Sequence, residues 1–166
     1  MSVWICRAGK KGIYHEMFLK SQKIYIPWEG FDKDLETFDT FEALKQYVAV
    51  ECNDTTDTAI STHSSQIRIF VSDMQIGDYV MVPANCSRQY SVGIIDSGYI
   101  FCRGSSLFHH SRNVRWIAHN ISRSSFSDKM VHTLGAYRTI FGLKDDAEFY
   151  EYLRDHVSEG CDGVAR

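Results

Sequence analysis

"DYVMVPANCSRQYSVGIIDSGYIFCR", residues 78–103, holds three apolar runs of strand length separated by short polar breaks. "DYVMVPA" and "QYSVGIID" are rich in Val, Ile and Tyr, and only Asn85 to Arg88 lie between them. The Ser97-Gly98 pair then marks a tight turn before "GYIFCR". Runs of this composition joined by turns this short predict neighbouring antiparallel strands. "RNVRWIA", residues 112–118, sets Val114, Trp116 and Ala118 against polar neighbours and supplies a fourth.

Upstream, "SVWICRA" reads as a short strand broken by Gly9 and Gly12, "YHEMFLKSQ" as a connecting turn or helix, and "KIYIPW" as a second strand. In that strand Lys23, Tyr25 and Pro27 alternate with Ile24, Ile26 and Trp28, so it is expected to end on a tryptophan. Thr40 stands where it can cap a helix that carries Phe41, Leu44, Tyr47 and Val48 on one face. After the polar run "NDTTDT", Ile60, Ser64, Ile67, Phe70, Val71 and Met74 recur at helical spacing. Downstream come a short helix near "SSFSDKMVHTL", a last strand "YRTIFGL", and a helix "DDAEFYEYLRDHV" with Asp145 or Asp146 as its cap. Five to six strands with short connections make an α+β protein, a small curved sheet or β-barrel flanked by helices.

A chain of 166 residues with 44% hydrophobic and 23% charged residues fits one soluble domain with a sizeable core. Only 2 prolines and 11 glycines argue against linkers and low-complexity segments. No apolar run suits a signal peptide or a bilayer span, so a cytoplasmic protein with no membrane partner is expected. The 5 cysteines are odd in number and form no C-x-x-C pair, which disfavours zinc ribbons and thioredoxin-like sites. Cys6 and Cys102 fall inside apolar runs and are expected as buried thiols. "RAGKKG" lacks the spacing of a phosphate loop, and no G-x-S-x-G or H-E-x-x-H motif occurs. His109 and His110 are neighbours on a strand and face opposite ways, so they do not pair on a metal. Neither cofactor, metal nor intrinsic enzyme activity is expected.

Net charge is −3, but its distribution is uneven. Between Gly98 and Ser127 there is no acid, while Arg103, Arg112, Arg115 and Arg123 fall there with His109, His110 and His119. Near the N-terminus Arg7, Lys10, Lys11, Lys20 and Lys23 stand against only Glu16. If the two stretches meet in the fold they form a basic face suited to phosphate. Scattered, they are solvated surface cations.

Three segments, taken in order, carry a family resemblance. "VWICRAGKKGIYHEMFL" (3–19) looks like the opening of the N-terminal domain of Mrr-type, modification-dependent restriction endonucleases. "QIRIFVSDMQIGDYVMVP" (66–83) and "HHSRNVRW" (109–116) are similar to its Gln-led helix, its Gly-Asp turn opening a strand, and its His-x-Arg-x-Val-x-Trp strand. That domain resembles the PUA superfamily, whose EVE and YTH members hold a modified base in an aromatic pocket. The resemblance implies a PUA/EVE-like recognition domain over 1–143, then a C-terminal helix and linker-like tail over 144–166. The nuclease of such enzymes carries an acid followed by Glu-x-Lys, which this sequence lacks, so any cutting is assigned to a separate domain or partner protein.

The function implied by the resemblance is that of a DNA reader, with a modified base flipped out of the stack. An RNA-binding module and a protein-interaction domain of a defence system are the alternatives. In the related YTH proteins a tryptophan after an early strand walls the base cage, and Trp28 matches that place; its parity with Ile24 and Ile26 equally describes a core residue. Tyr99 and Phe101 share parity and are candidates for a second wall, with core packing the competing role. Ser64, Ser65 and Gln66 are polar candidates for reading a base edge, since an amide both donates and accepts. His110 and Arg112, two apart on one strand, are candidates for phosphate or sugar contact with Arg115 on the other face. Arg7, Lys10, Lys11 and Arg103 complete the candidate backbone contacts.

Overall fold

The computed structural model describes residues 1–53, 56–104 and 107–157. Strand β1 (Val3–Cys6) is followed by a turn at Lys10–Gly12, helix α1 (His15–Ser21) and strand β2 (Lys23–Tyr25). Helices α2 (Phe41–Glu51) and α3 (Asp57–Arg68) come next, and a π-helical turn, Ile69–Asp73, ends the second. Strands β3 (Tyr79–Ala84), β4 (Gln89–Ile95), β5 (Ile100–Phe101) and β6 (His110–Ser122) then follow. Helix α4 (Asp128–Leu134), strand β7 (Ile140–Gly142) and helix α5 (Ala147–His156) close the order. The result is an α+β fold: a curved, half-barrel sheet of seven strands with helices on both faces.

The sheet runs β2-β6-β4-β3-β1-β7, with β5 added beside β6. Only β1 and β3 are parallel, Val3 opposite Tyr79. The tight turn at Asn85–Ser87 joins β3 to β4 as an antiparallel pair, in agreement with the sequence pattern. β6 is the long element. Its first residues pair with β2 and β5, and the remainder with β4, so one bent strand serves both halves of the sheet.

Both faces are buried, which is why β3 reads as an unbroken apolar run rather than an alternating one. Cys6, Val80, Val82, Ile95 and Val114 enter one core, covered by Phe18 of α1, Leu44, Tyr47 and Val48 of α2 and Ile67 of α3. Val3, Ile5, Met81, Tyr90 and Val92 enter the other, covered by Met130 and Leu134 of α4 and Phe149 and Leu153 of α5. Each such apolar side chain contributes on the order of 1.5–3 kcal/mol when fully buried, enough to dock a short helix. Helix α5 therefore packs onto the same sheet, while residues 158–166 of the expected tail lie outside the described residues.

The predicted cap at Thr40 is present, its Oγ1 accepting from Ala43 N; α4 is capped by Ser127, whose Oγ accepts from Met130 N. The expected acid cap of α5 is not. Asp146 occupies the position without a side-chain bond, and Asp145 pairs with Lys129 instead. Two more expectations need correction. Strand β2 stops at Tyr25, three residues before Trp28, and Cys102 is exposed because β5 ends one residue earlier. Cys6 is fully buried, and that burial pushes its thiol well above the ordinary range. Among the described residues no helix is long and apolar enough to cross a membrane.

Two buried polar side chains tie the layers together. The Asp78 carboxylate, in the Gly-Asp turn before β3, accepts from Ser2 N, Gln75 N and Trp4 Nε1, and so fixes β1 beside β3. Arg112 of β6 is 3% exposed, and its guanidinium donates to Phe70 O at 2.7 Å, Val71 O at 3.0 Å and Ser97 O at 3.1 Å. Two of these carbonyls lie in the turn that ends α3, the negative end of a helix, where a cation is favoured. Arg112→Met removes the charge-assisted bonds and leaves three carbonyls without this donor, at a cost of roughly 3 kcal/mol or more. A fall in the urea midpoint measures it, and Arg112→Lys should recover only part, because a lysine lacks the planar fork.

Candidate nucleic-acid interface

The two basic stretches meet where Lys23 of β2 pairs with Asn113 of β6, and a third segment around Arg88 touches both. The Lys10–Gly12 turn packs against the Asn85–Ser87 turn. Their approach is so close that a Cβ on Gly12 would stand 3.1 Å from Pro83 O and 3.2 Å from Ala84 Cα, so glycine is required there. Arg88 O accepts from Arg123 N at 2.9 Å, which brings the start of β4 and the end of β6 together. Lys10, Lys11, Arg88 and Arg123 are all exposed and gather at this end of the sheet. Lys23 Nζ bonds Asn113 Oδ1 at 2.6 Å where β2 meets β6.

Other candidate cations are engaged in the fold. Arg7 Nε donates to Arg138 O, and its Nη2 to Leu134 O and Ala136 O, clasping the turn after α4. Arg112 faces the interior, and His110 is 1% exposed. The two do share a side of β6, as their spacing predicts, but that side is the protein's own interior, so neither reaches a phosphate. Arg103 is exposed and lies 3.9 Å from the Asp32 carboxylate. Arg115 is exposed.

Trp28 is half-buried on the segment after β2, tilted against Phe31 at 6.0 Å between centroids and edge-on to His63 at 5.1 Å. Tyr99 and Phe101 pack on His110. Both lie nearly parallel to the ring of His110, with centroids 5.8 and 5.3 Å away. His110 Nε2 bonds the Phe31 carbonyl, so it must donate; Nδ1 then accepts from the Tyr99 hydroxyl at 2.6 Å. Tyr99 oxygen in turn accepts from Leu35 N. The relay Leu35–Tyr99–His110–Phe31 is therefore satisfied with a neutral imidazole, and it pins the 31–35 segment to β6. Burial raises the Tyr99 hydroxyl well above its ordinary value, and the nearby Asp34 and Glu36 add to this.

The polar candidates of α3 are also structural. Gln66 Oε1 accepts from Thr139 N and Ile140 N, both at 2.9 Å, so its two acceptor sites serve β7. Ser64 is fully buried and its hydroxyl donates to Ile60 O. Ser65 is half-buried.

One arrangement had no sequence signature. His15 Nε2 lies 2.8 Å from Ser91 Oγ, and His119 Nδ1 lies 3.4 Å from the same atom. His15 and Ser91 border a cavity of about 300 Å³ lined also by Gly12, Glu16, Gln89 and Asn120. His15 and Ser91 are 76 residues apart, and only the fold brings them together. Among the described residues, no group of three or more His, Cys, Asp or Glu side chains is placed to hold a metal ion.

Burial lowers the His110 imidazole below its ordinary value, His109 adds to the effect, and the Phe31 bond and Asp34 oppose it. Its contribution to stability is thus complete above the unfolded value near 6.5 and is lost as pH falls through the lowered folded value. Urea midpoints should fall between pH 7 and pH 5, and should fall less in His110→Phe.

No curated protein matches this chain. Residues 2–144 match the family described as Domain of unknown function (DUF8426), and the chain belongs to that family.

Proposed function

We propose that the domain is a PUA/EVE-like recognition module that binds DNA by its basic end and takes a modified base onto Trp28. In this reading it lends selectivity to a cytoplasmic restriction or defence nuclease, which supplies the cutting. The supporting observation is the gathering of exposed Lys10, Lys11, Arg88 and Arg123 from three parts of the chain at one end of the sheet. Such a cluster on a molecule of net charge −3 gives the field a direction and orients a polyanion toward that end.

The engaged side chains narrow the base-reading part. Gln66, Ser64, Tyr99 and Phe101 already serve the fold, so selectivity falls to Trp28 and to shape rather than to a polar edge reader. Stacking on one indole contributes about 1–3 kcal/mol, and flipping costs a few kcal/mol, so phosphate contacts have to supply the balance.

Fluorescence anisotropy on duplexes with and without modified bases tests this reading. Lys10→Glu with Lys11→Glu should weaken binding at least about tenfold and reduce the slope of log affinity against log salt by roughly two. Trp28→Ala should remove the preference for modified DNA while sparing the salt slope. Equal binding of modified DNA by Trp28→Ala and wild type would exclude the stacking role, and salt-independent affinity would exclude the basic end. Competition with a modified RNA of the same sequence separates a DNA reader from an RNA reader.

A further inference from the structure

The cavity beneath the Lys10–Gly12 turn is built by an irregularity in the sheet. Between Tyr90 and Gly93 the register of β4 against β6 shifts twice, and β6 places additional residues opposite β4. Asn120 sits there with φ of 55°, a left-handed conformation that turns the strand. Such bulges re-aim side chains. In this strand His119 is brought to Ser91, and Asn120 lines the cavity.

Ser91 is 1% exposed and has a single hydroxyl proton. With two imidazole nitrogens at its oxygen, it donates to one and accepts an N–H from the other. Asn120 borders the same space with an amide that can donate. The Lys10–Gly12 turn, which contributes Gly12 to the lining, carries exposed Lys10 and Lys11, and exposed Arg88 adjoins the lining residue Gln89. Glu16, also on the lining, is the acid on the rim.

We propose that this cavity is a phosphate subsite. The imidazolium of His15, held by Ser91 through one N–H, and the amide of Asn120 donate to the phosphate oxygens, and Lys10 and Lys11, on the turn that ends at Gly12, supply positive charge nearby. A cavity of about 300 Å³ is at the small end of ligand pockets, and it admits one phosphate with part of its sugar rather than a duplex. The nucleic-acid origin of that phosphate rests on the proposed DNA-binding role; the phosphate chemistry itself does not.

Proton linkage arises from the neighbours of His15. Burial and the facing His119 of β6 lower its imidazole below the ordinary value, and Glu16 on its own helix opposes them. Ser91 meets it from β4, and Lys10 and Lys11 stand on the turn just before α1. A phosphate dianion reverses the balance and favours the imidazolium, so binding takes up a proton. Affinity for the dianion then rises as pH falls from about 8 to 6, by at most about tenfold per pH unit for one proton.

Imidazole resonances of the intact protein, followed by NMR across that pH range, test this. The probes are inorganic phosphate, a 5′-phosphorylated trinucleotide and the same trinucleotide with a 5′-hydroxyl. Phosphate and the phosphorylated trinucleotide should both shift His15 and His119 and move the His15 titration to higher pH. His15→Gln should abolish the pH dependence of binding. The wild-type titration decides the matter even if that variant fails to fold. Phosphate that moves neither histidine overturns the proposal, and so does an equal response to the 5′-hydroxyl trinucleotide. If inorganic phosphate acts and no DNA binds, the subsite stands and the nucleic-acid reading falls. If DNA binds while His15 ignores phosphate, the reverse holds.

Discussion

A guanidinium buried among backbone carbonyls is the constraint that the rest of this fold has to satisfy. Arg112 cannot lose its proton at any physiological pH, so its charge has to be met inside. Phe70, Val71 and Ser97 meet it, and those three residues come from the end of α3 and from the loop between β4 and β5. The helix layer, the sheet and the loop are thus held in one relative position by a single side chain. A π-helical turn at Ile69–Asp73 accompanies this junction, where two consecutive carbonyls accept from the same side chain. Net energies for such bonds are modest, but leaving the carbonyls bare would cost far more than making the bonds gains.

Two residues earlier on β6, His110 performs the same service for the segment between β2 and α2. It does so as a neutral ring with one donor and one acceptor, each matched. The aromatic side chains around it, Tyr99, Phe101, Phe31 and Trp28, form a contiguous assembly that stabilises a loop with little regular structure. This accounts for the concentration of rings in that region without requiring all of them to be a ligand cage. Of these rings Phe31 is buried, and Trp28, Tyr99 and Phe101 are half-buried.

Strands and helices are legible in the sequence because they rest on local periodicity and on caps such as Thr40. The parity of His110 and Arg112 is legible too. Which side of β6 is the inside is not, because a sheet buried on both faces offers no polar face as a guide, and a buried arginine satisfied by carbonyls has no acidic partner to announce it. Gln66 illustrates the same difficulty: its amide suits a base edge and a strand edge equally, and β7, more than 70 residues away, decides between them. Cys102 lies one residue beyond the point where its strand stops, and an apolar run does not mark that end. The His15–Ser91–His119 cluster has no local signal at all, since it depends on a bulge whose cause is three-dimensional.

The two ends of β6 consequently do different work. Near its start, His110 and Arg112 point inward and are matched by backbone carbonyls and the Tyr99 hydroxyl, an arrangement that gives rigidity and leaves little capacity for a ligand. Near its end the ladder is broken, and Gly93 is required because a Cβ would run into Val114 Cγ1 and stand 3.0 Å from the Trp116 ring. That crowding on one side of the break and the cavity on the other have a common origin in the extra residues of β6. Flexible donors, a shared serine proton and exposed cations converge at the second end. Recognition of an anion needs donors that can reorient, so the proposed phosphate subsite belongs to the irregular end of the strand rather than to the aromatic one.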